Sequence, residues 1–423
     1  MSVDSAVAAL RSAGYPLVRR DVPASAAHPR LRVDAVAWAA DQTGELVPQV
    51  AVEVKDSGTV DAIPDALRQL AASRELLGTR RHYLLLDDAW YMADTGLTSA
   101  APVAGPEPAP GNGVAKLSDP VLVSQMVAGR LFHLAERRRG SEVAGAAMLA
   151  AAAQLIDEAV EHEGLVVGDH VISVPLPVLA ESLFDSTLTW VLRAGRGNGQ
   201  YLTEPGAGRV LARLLAPAGT AIVLDPFCGS GSLLWHASQV AAPDARLTLI
   251  GQDVNKTITA LARQLARLVP GGIEIRLGDS LSGELPSADY IITQPPLIPR
   301  LQRTHQLSDG QGTKDADVAI LDRCLRTLRP GGRAVISTTR AWLWRESASG
   351  YRRWLAGHAH VVALIGLPRG AFADTSIDSV ITVLAAAPPG ETFVAQLGLD
   401  WITELSDDGP ALRAYQEHLR SSQ

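Results

Sequence analysis

Between residues 221 and 367 the chain keeps one rhythm. Short runs of Val, Ile and Leu alternate with longer stretches whose apolar positions recur at helical spacing. The runs predict strands at Ala221–Leu224, Arg246–Gln252, Ile273–Leu277, Tyr290–Thr293, Arg333–Thr338 and Val361–Leu367, with helices between them. Such an alternation predicts a parallel sheet covered by helices on both faces, an α/β doubly wound, Rossmann-like domain. Upstream, Val121–Arg138 and Glu142–Glu161 carry apolar residues at helical spacing among good helix formers, which predicts a mainly helical block. Nearer the N-terminus the period is that of a strand. An apolar segment follows Asp34, a turn falls at Asp41–Glu45, and Val50–Lys55 alternates again, as in a small α/β block. The stretch Glu391–Gln423 predicts one closing strand and one short helix.

Composition adds the boundaries. A chain of 423 residues is too long for one compact core. Thr98–Gly113 carries Pro102, Pro106, Pro108 and Pro110 among Ala and Gly, which predicts a flexible, partly extended linker. The expected organisation is an α/β block over 1–98, the linker over 99–113, a helical block over 114–198, the doubly wound domain over 199–390 and a tail over 391–423. The formal net charge of -7 argues against a large non-specific nucleic-acid surface, while leaving room for a local basic groove. Two cysteines, Cys228 and Cys324, make neither a disulfide framework nor a zinc spacing, which fits a reducing cytoplasm. Met1–Arg11 lacks the pattern of a signal peptide. No apolar run reaches the ~18–20 residues that span a bilayer, and Ala144–Ala153 is too short and flanked by charge. The expectation is a cytoplasmic protein with no membrane partner.

The densest chemistry lies in Asp225-Pro226-Phe227-Cys228-Gly229-Ser230-Gly231, directly after a predicted strand and before a helix starting near Leu233. Its glycines let the backbone turn sharply beside a ligand, and the helix offers free N–H groups at its start. The spacing is neither G-x-G-x-x-G nor a phosphate loop with Gly-Lys-Ser/Thr. It resembles instead the first motif of S-adenosylmethionine methyltransferases. The next strand ends in Asp253, placed to accept hydrogen bonds from a ribose diol; a helix cap is the alternative role of such an Asp. Asp279, after the following strand, would face the adenine ring or cap a turn.

Other segments extend the resemblance. Gly199-Gln200-Tyr201-Leu202-Thr203-Glu204-Pro205, Gly251-Gln252-Asp253-Val254-Asn255, Leu328-Arg329-Pro330-Gly331-Gly332-Arg333, and Ile365-Gly366-Leu367-Pro368 through Phe372, Thr375 and Ile377 follow one another in a set order. In this order they resemble the adenine-N6 DNA methylase family, and within it the modification subunits of type I restriction–modification systems. The resemblance covers about half the chain. It implies that Tyr201, Thr203, Asp225, Phe227, Gly229, Gly231, Asp253 and Asp279 bind S-adenosylmethionine. It also implies that Gln294-Pro295-Pro296-Leu297 is the catalytic motif. The family carries Asn-Pro-Pro followed by Phe or Tyr, and this chain departs at both ends of the motif. An exocyclic amine is a poor nucleophile, so such an enzyme flips the base and aims the amine's lone pair with a side-chain and a backbone carbonyl. Gln294 is one methylene longer than Asn, and a displacement on the order of 1 Å at a reacting centre can cost ~100-fold. Leu297 lacks the aromatic face that is worth roughly 1–3 kcal/mol in stacking.

In the N-terminal block, Asp34 precedes a strand carrying Glu53 and Lys55 two apart, on one face. A hairpin would bring Asp34 beside them. Two carboxylates can hold Mg²⁺, and a neighbouring Lys can help activate water. The pattern resembles the PD-(D/E)xK nuclease core, with Gln69 as a further member. Trp38, Trp90 and Tyr91 read as core or rim aromatics, and Arg137-Arg138-Arg139 as cations at a helix C-terminus. The resemblance implies a DNA adenine-N6 methyltransferase in restriction–modification or phage defence, with DNA and a separate specificity or restriction subunit as partners. Two alternatives stand beside it: a methylase-fold regulator that has lost methyl transfer, and a methyltransferase acting on RNA or protein.

Overall fold

The computed structural model describes residues 2–23, 32–55, 62–111, 115–138, 144–194, 205–296, 300–371 and 377–421. The chain forms two compact units: Met1–Gln125 with Glu158–Leu179, and Met126–Asp157 with Ala180–Gln423.

The first unit begins with α1 (Val3–Ser12), followed by β1 (Leu17–Pro23), β2 (Arg32–Ala40), β3 (Leu46–Lys55), α2 (Ala62–Leu77), β4 (Arg81–Leu86), β5 (Ala89–Ala93) and β6 (Ala100–Val103). The six strands make one sheet in sequence order, antiparallel except where α2 crosses between the parallel pair β3 and β4. Alternate residues of the inner strands, among them Val50, Val52, Tyr83 and Leu85, pack with Leu10 and Tyr15 into its core. The expected linker over Thr98–Gly113 is corrected here. Ala100–Val103 pairs with β5, and Ala109 donates its N–H to Ala13 O, so the segment is built into the unit up to Gly111. Pro102 is tolerated because β6 is an edge strand, where a missing donor costs no ladder bond.

The stretch expected to be helical holds α3 (Pro120–Arg138), α4 (Ala144–His162) and α5 (Leu176–Ala194), but also short strands. These are β7 (Ala115–Lys116), β8 (Gly164–Val167) and β9 (His170–Ser173), in a small sheet ordered β7-β9-β8. Arg137 and Arg138 occupy the last turn of α3, where cations complement the helix dipole; Arg139 lies outside the described residues.

In the second unit the chain continues through α6 (Pro205–Leu215), β10 (Thr220–Asp225), α7 (Ser232–Val240), β11 (Arg246–Asp253), α8 (Lys256–Ala266), β12 (Glu274–Leu277) and β13 (Ala288–Thr293). Next come β14 (Arg300–Gln306), β15 (Gly312–Asp315), α9 (Ala316–Thr327), β16 (Leu328–Thr339), α10 (Ser349–His358), β17 (His360–Gly366) and β18 (Ser379–Ala385). The chain ends on β19 (Phe393–Gln396), α11 (Trp401–Glu404) and α12 (Pro410–Ser421). The large sheet has the order β12-β11-β10-β13-β16-β18-β17-β19. The six predicted strands are all present, to within a few residues at their ends.

Two features depart from the expected parallel sheet. First, β18 is antiparallel to both neighbours, β16 and β17, so the sheet is mixed. Second, β14 and β15 form a separate antiparallel hairpin between β13 and α9. Ile291, Leu224, Ile336, Val380 and Leu384 form the inner line of the core under α9 and α10, with Leu321, Cys324, Tyr351 and Leu355 facing them. The tail holds β19, parallel to β17, and two helices rather than one.

What matters for ligands is the strand order. From β10 the chain moves to β11 and then β12 on one side, and returns to β13 on the other. The order reverses between β10 and β13, and in open α/β sheets ligands bind outside the carboxyl ends of strands at such a switch point.

Candidate active site

The loop after β10 leaves the sheet at that point. Asp225, the last residue of β10, opens onto it and is fully buried. Its Oδ1 accepts the Phe227 N–H at 3.0 Å and the Thr293 hydroxyl at 2.7 Å. Its Oδ2 has no partner among the described residues. Burial pushes its carboxyl up to about 7. Gly229 and Gly231 both have positive φ, +51° and +85°, so the turn requires residues without a Cβ penalty. Gly231 closes the turn by donating its N–H to Cys228 O at 2.8 Å and then caps α7 without a side chain. The start of α7 is left with backbone donors free to meet a ligand. The Ser230 hydroxyl in the same turn is buried and unpartnered.

Asp253, at the end of β11, binds the loop directly. One oxygen accepts the Gly229 N–H at 3.0 Å and the other the Asn255 N–H at 2.8 Å. The helix-cap role falls to Asn255, whose side chain accepts from Thr257 and Ile258 at the start of α8. Asp253 is therefore held beside the glycine turn, where the ribose reading places it. Gly251 lets β11 approach the loop: a Cβ there would sit 2.9 Å from both Cβ and Sγ of Cys228. Asp279 is exposed, and its carboxylate accepts the Leu281 N–H and the Ser282 hydroxyl, which holds it below the usual carboxylate range. That is turn-capping geometry, the alternative weighed for this residue.

Gln294 and Pro295 follow β13 and are buried, with Pro296 partly exposed behind them. Neither polar atom of the Gln294 amide has a partner among the described residues. A buried amide without partners costs roughly 1–3 kcal/mol. The bond from Thr293 to Asp225 ties the motif's strand to the end of β10. Tyr201, Thr203, Leu297, Phe372 and Thr375 lie outside the described residues. Sequence reasoning had no signal for Thr293, Ser230 or Gln252, whose amide donates to the Ser280 hydroxyl at 3.0 Å. The partners of Thr293 and Gln252 are distant in the chain, and the Ser230 hydroxyl has none among the described residues.

In the first unit β2 and β3 form the expected hairpin. Lys55 Nζ lies 2.8 Å from Glu53 Oε2 and 3.9 Å from Asp34 Oδ2, and Asp34 Oδ2 accepts the Val54 N–H. Glu53 is 1% exposed, its Oε1 is unpartnered, and burial pushes its carboxyl up to about 7. The Gln69 carbonyl oxygen is also buried without a partner. No group of three or more His, Cys, Asp or Glu able to hold a metal occurs among the described residues. Trp38 is a core residue, and Trp90 stands edge-on to Tyr83 at 5.9 Å. Among the described residues no helix is long and apolar enough to cross a membrane.

Residues 188–393 match the model of the family described as N-6 DNA Methylase. The type I restriction enzyme StySPI methylase subunit of Salmonella potsdam is 27% identical over 202 residues, 42% of this chain and 38% of that protein. Ribosomal RNA large subunit methyltransferase G of Streptomyces coelicolor is 30% identical over 158 residues, 36% of this chain and 37% of that protein. The matches thus span well under half the length of these relatives. A putative class I S-adenosylmethionine-dependent methyltransferase from Listeria monocytogenes, 17% identical, superposes with a TM-score of 0.56 over 70% of this chain and 99% of its own. That likeness shows a shared fold.

Proposed function

The chain carries, in residues 188–393, a domain of the N-6 DNA methylase family, and on that footing we propose that it transfers a methyl group from S-adenosylmethionine to adenine N6 of DNA. One arrangement carries the reading. The Asp225–Gly231 loop and Gln294-Pro295-Pro296 leave neighbouring strands at the switch point, joined by the Thr293–Asp225 hydrogen bond.

The residues fit the cofactor. Asp225 Oδ2 is a buried, unpartnered acceptor for a cationic group, and Asp253 is an acceptor for hydroxyls. The free N–H groups of the turn and of α7 are donors for a carboxylate. When bound, S-adenosylmethionine supplies an electrophilic methyl group on its sulfonium sulfur. The chain's own part is to receive the flipped base and orient its amine. The Gln294 side-chain carbonyl and the Pro295 backbone carbonyl would accept the two amine hydrogens, turning the lone pair out of conjugation and toward the methyl group.

Incubating the purified protein with tritiated S-adenosylmethionine and mixed DNA, with and without candidate specificity subunits, tests this. N6-methyladenine in the hydrolysed DNA is expected. Label in RNA or protein alone would favour the second substrate class, to which the match with a ribosomal RNA methyltransferase lends weight. Cofactor binding without any transfer would favour a regulator.

For the first unit the reading is a Mg²⁺-dependent nuclease centre. It rests on Glu53 Oε1, a buried carboxylate oxygen that lacks a partner, with Asp34 and Lys55 beside it. Asp34 and Glu53 would hold the metal, which would supply an activated water. Plasmid nicking that requires Mg²⁺ and is lost in Glu53→Gln supports it; nicking that survives in that variant removes it.

A further inference from the structure

The β14–β15 hairpin starts six residues after Gln294, and the segment Arg340–Ala348 follows the end of β16. Strands β13 and β16 are parallel neighbours. Both segments therefore emerge on the side of the sheet where the Gln294 motif lies. Between them is an open cleft of ≈ 360 Å³, lined by Arg300, Thr313, Lys314, Asp315, Arg345 and Ser347, with Gly312 completing its wall.

The lining has no apolar side chain able to stack on a base, which argues against a second nucleoside pocket. It has three cations and one anion. The anion is already engaged: Asp315 is buried, its Oδ2 lies 3.0 Å from Arg345 Nη1, and its Oδ1 accepts from Val318 at the start of α9. Arg300 and Lys314 are exposed, and their side chains make no hydrogen bond or ion pair among the described residues. The cleft therefore presents two uncompensated positive charges on a protein whose formal net charge is -7. Beside it in sequence, the indole of Trp344 is 69% exposed, an unusual degree for a large aromatic. Cations with small hydroxyl side chains between them suit a phosphate, which takes both ion pairs and O–H donors.

We propose that this cleft seats a backbone phosphate of the duplex DNA whose base enters the Gln294 site. This deepens the methyltransferase reading and rests on it. Local attraction here would offset the general repulsion between DNA and an acidic protein, and would fix the duplex relative to the strand end that carries the motif.

The test uses the full chain, a fluorescein-labelled duplex DNA, and two variants, Arg300→Gln and Lys314→Gln, singly and together. Both side chains are exposed, so the fold is expected to persist, and calorimetric binding of S-adenosylmethionine is the control. Each lost phosphate contact lowers the slope of log affinity against log salt by about 1. The double variant should lose about 1 in slope and roughly tenfold in affinity at low salt, with cofactor affinity unchanged. An unchanged slope in the double variant overturns the proposal. So does binding of inorganic phosphate that is lost in the double variant while its DNA affinity stays at the wild-type level, which would make the cleft a site for a free anion. Binding of RNA with the same losses, and none of duplex DNA, overturns it in favour of RNA. Cofactor binding by a wild-type protein that binds no DNA overturns this inference while leaving the cofactor site standing. Absence of cofactor binding in the folded protein would strike the methyltransferase reading itself.

Discussion

Asp225→Asn isolates the buried carboxylate on which the cofactor loop is built. Asp225 is fully enclosed, and burial raises its carboxyl from 3.8 to about 7. The folded protein therefore holds a proton that the unfolded chain releases at lower pH. The stabilisation this brings is complete below pH 3.8 and is lost as pH rises through about 7. Some three units at about 1.4 kcal/mol each make an effect of roughly 4 kcal/mol, an upper figure for a group that relaxes on ionising. Asn keeps a carbonyl for Phe227 and Thr293 and puts an amide group where the protonated acid carries its hydroxyl, both without a partner. The variant should thus be close to wild type in stability near pH 4 and the more stable protein near pH 8. Hydrogen exchange of peptides covering Thr220–Asp225 and Ala288–Thr293, corrected for intrinsic rates, reads the stability of this unit. Burial also raises Asp185 and Asp317, and Glu53 in the other unit, but these are common to both proteins and cancel in the difference. A difference between wild type and variant that does not change with pH refutes the reasoning.

Other outcomes follow from the same site. Asp253→Ala should weaken S-adenosylmethionine binding by roughly 1.5–3 kcal/mol, the scale of a hydrogen bond to a charged group; calorimetry that shows equal affinity would remove the ribose role. Gly251→Ala forces a methyl group to within 2.9 Å of the Cys228 side chain and 3.0 Å of Ile275. Overpacking of this kind costs about 1–3 kcal/mol, and scanning fluorimetry should show a lower Tm. Gln294→Asn with Leu297→Tyr should raise methyl incorporation beyond either single change if the native pair is a weakened form of the motif, because both act on one base. A fall in all three variants would show that the native pair is already matched to its substrate.

The parts of this site that were legible in the sequence are those whose chemistry is local. A strand followed by glycines and a helix start announces a turn, and Asp225–Gly231 lies between β10 and α7 with Asp253 at the end of β11. The pairing of Thr293 with Asp225 spans 68 residues, and no short pattern encodes it. An apolar run does not state the direction of its strand, and Ser379–Ala385 falls outside the predicted strands altogether. The β14–β15 hairpin is polar on both faces, so it has none of the alternation that marks a half-buried strand. In the N-terminal unit, the position of Asp34 beside Glu53 follows from the hairpin pattern. The depth of Glu53 does not, because a strand side chain is buried by what packs around the sheet, which no local pattern states. The prolines of Thr98–Gly113 signalled a linker, yet an edge strand accommodates them equally well.

The hydroxyl bridge between Thr293 and Asp225 has a mechanical consequence. In the proposed reaction the donor and acceptor atoms must be held at a near-fixed separation, and each would be carried by a different loop on a different strand. Independent fluctuation of those loops would spread that separation over many unproductive values. A short bond at the root of both loops would couple their displacements and steady the gap between them. Replacing Thr293 with Val would leave the strand pairing in place and remove that coupling. The cost would then appear as a loss of turnover at unchanged cofactor affinity.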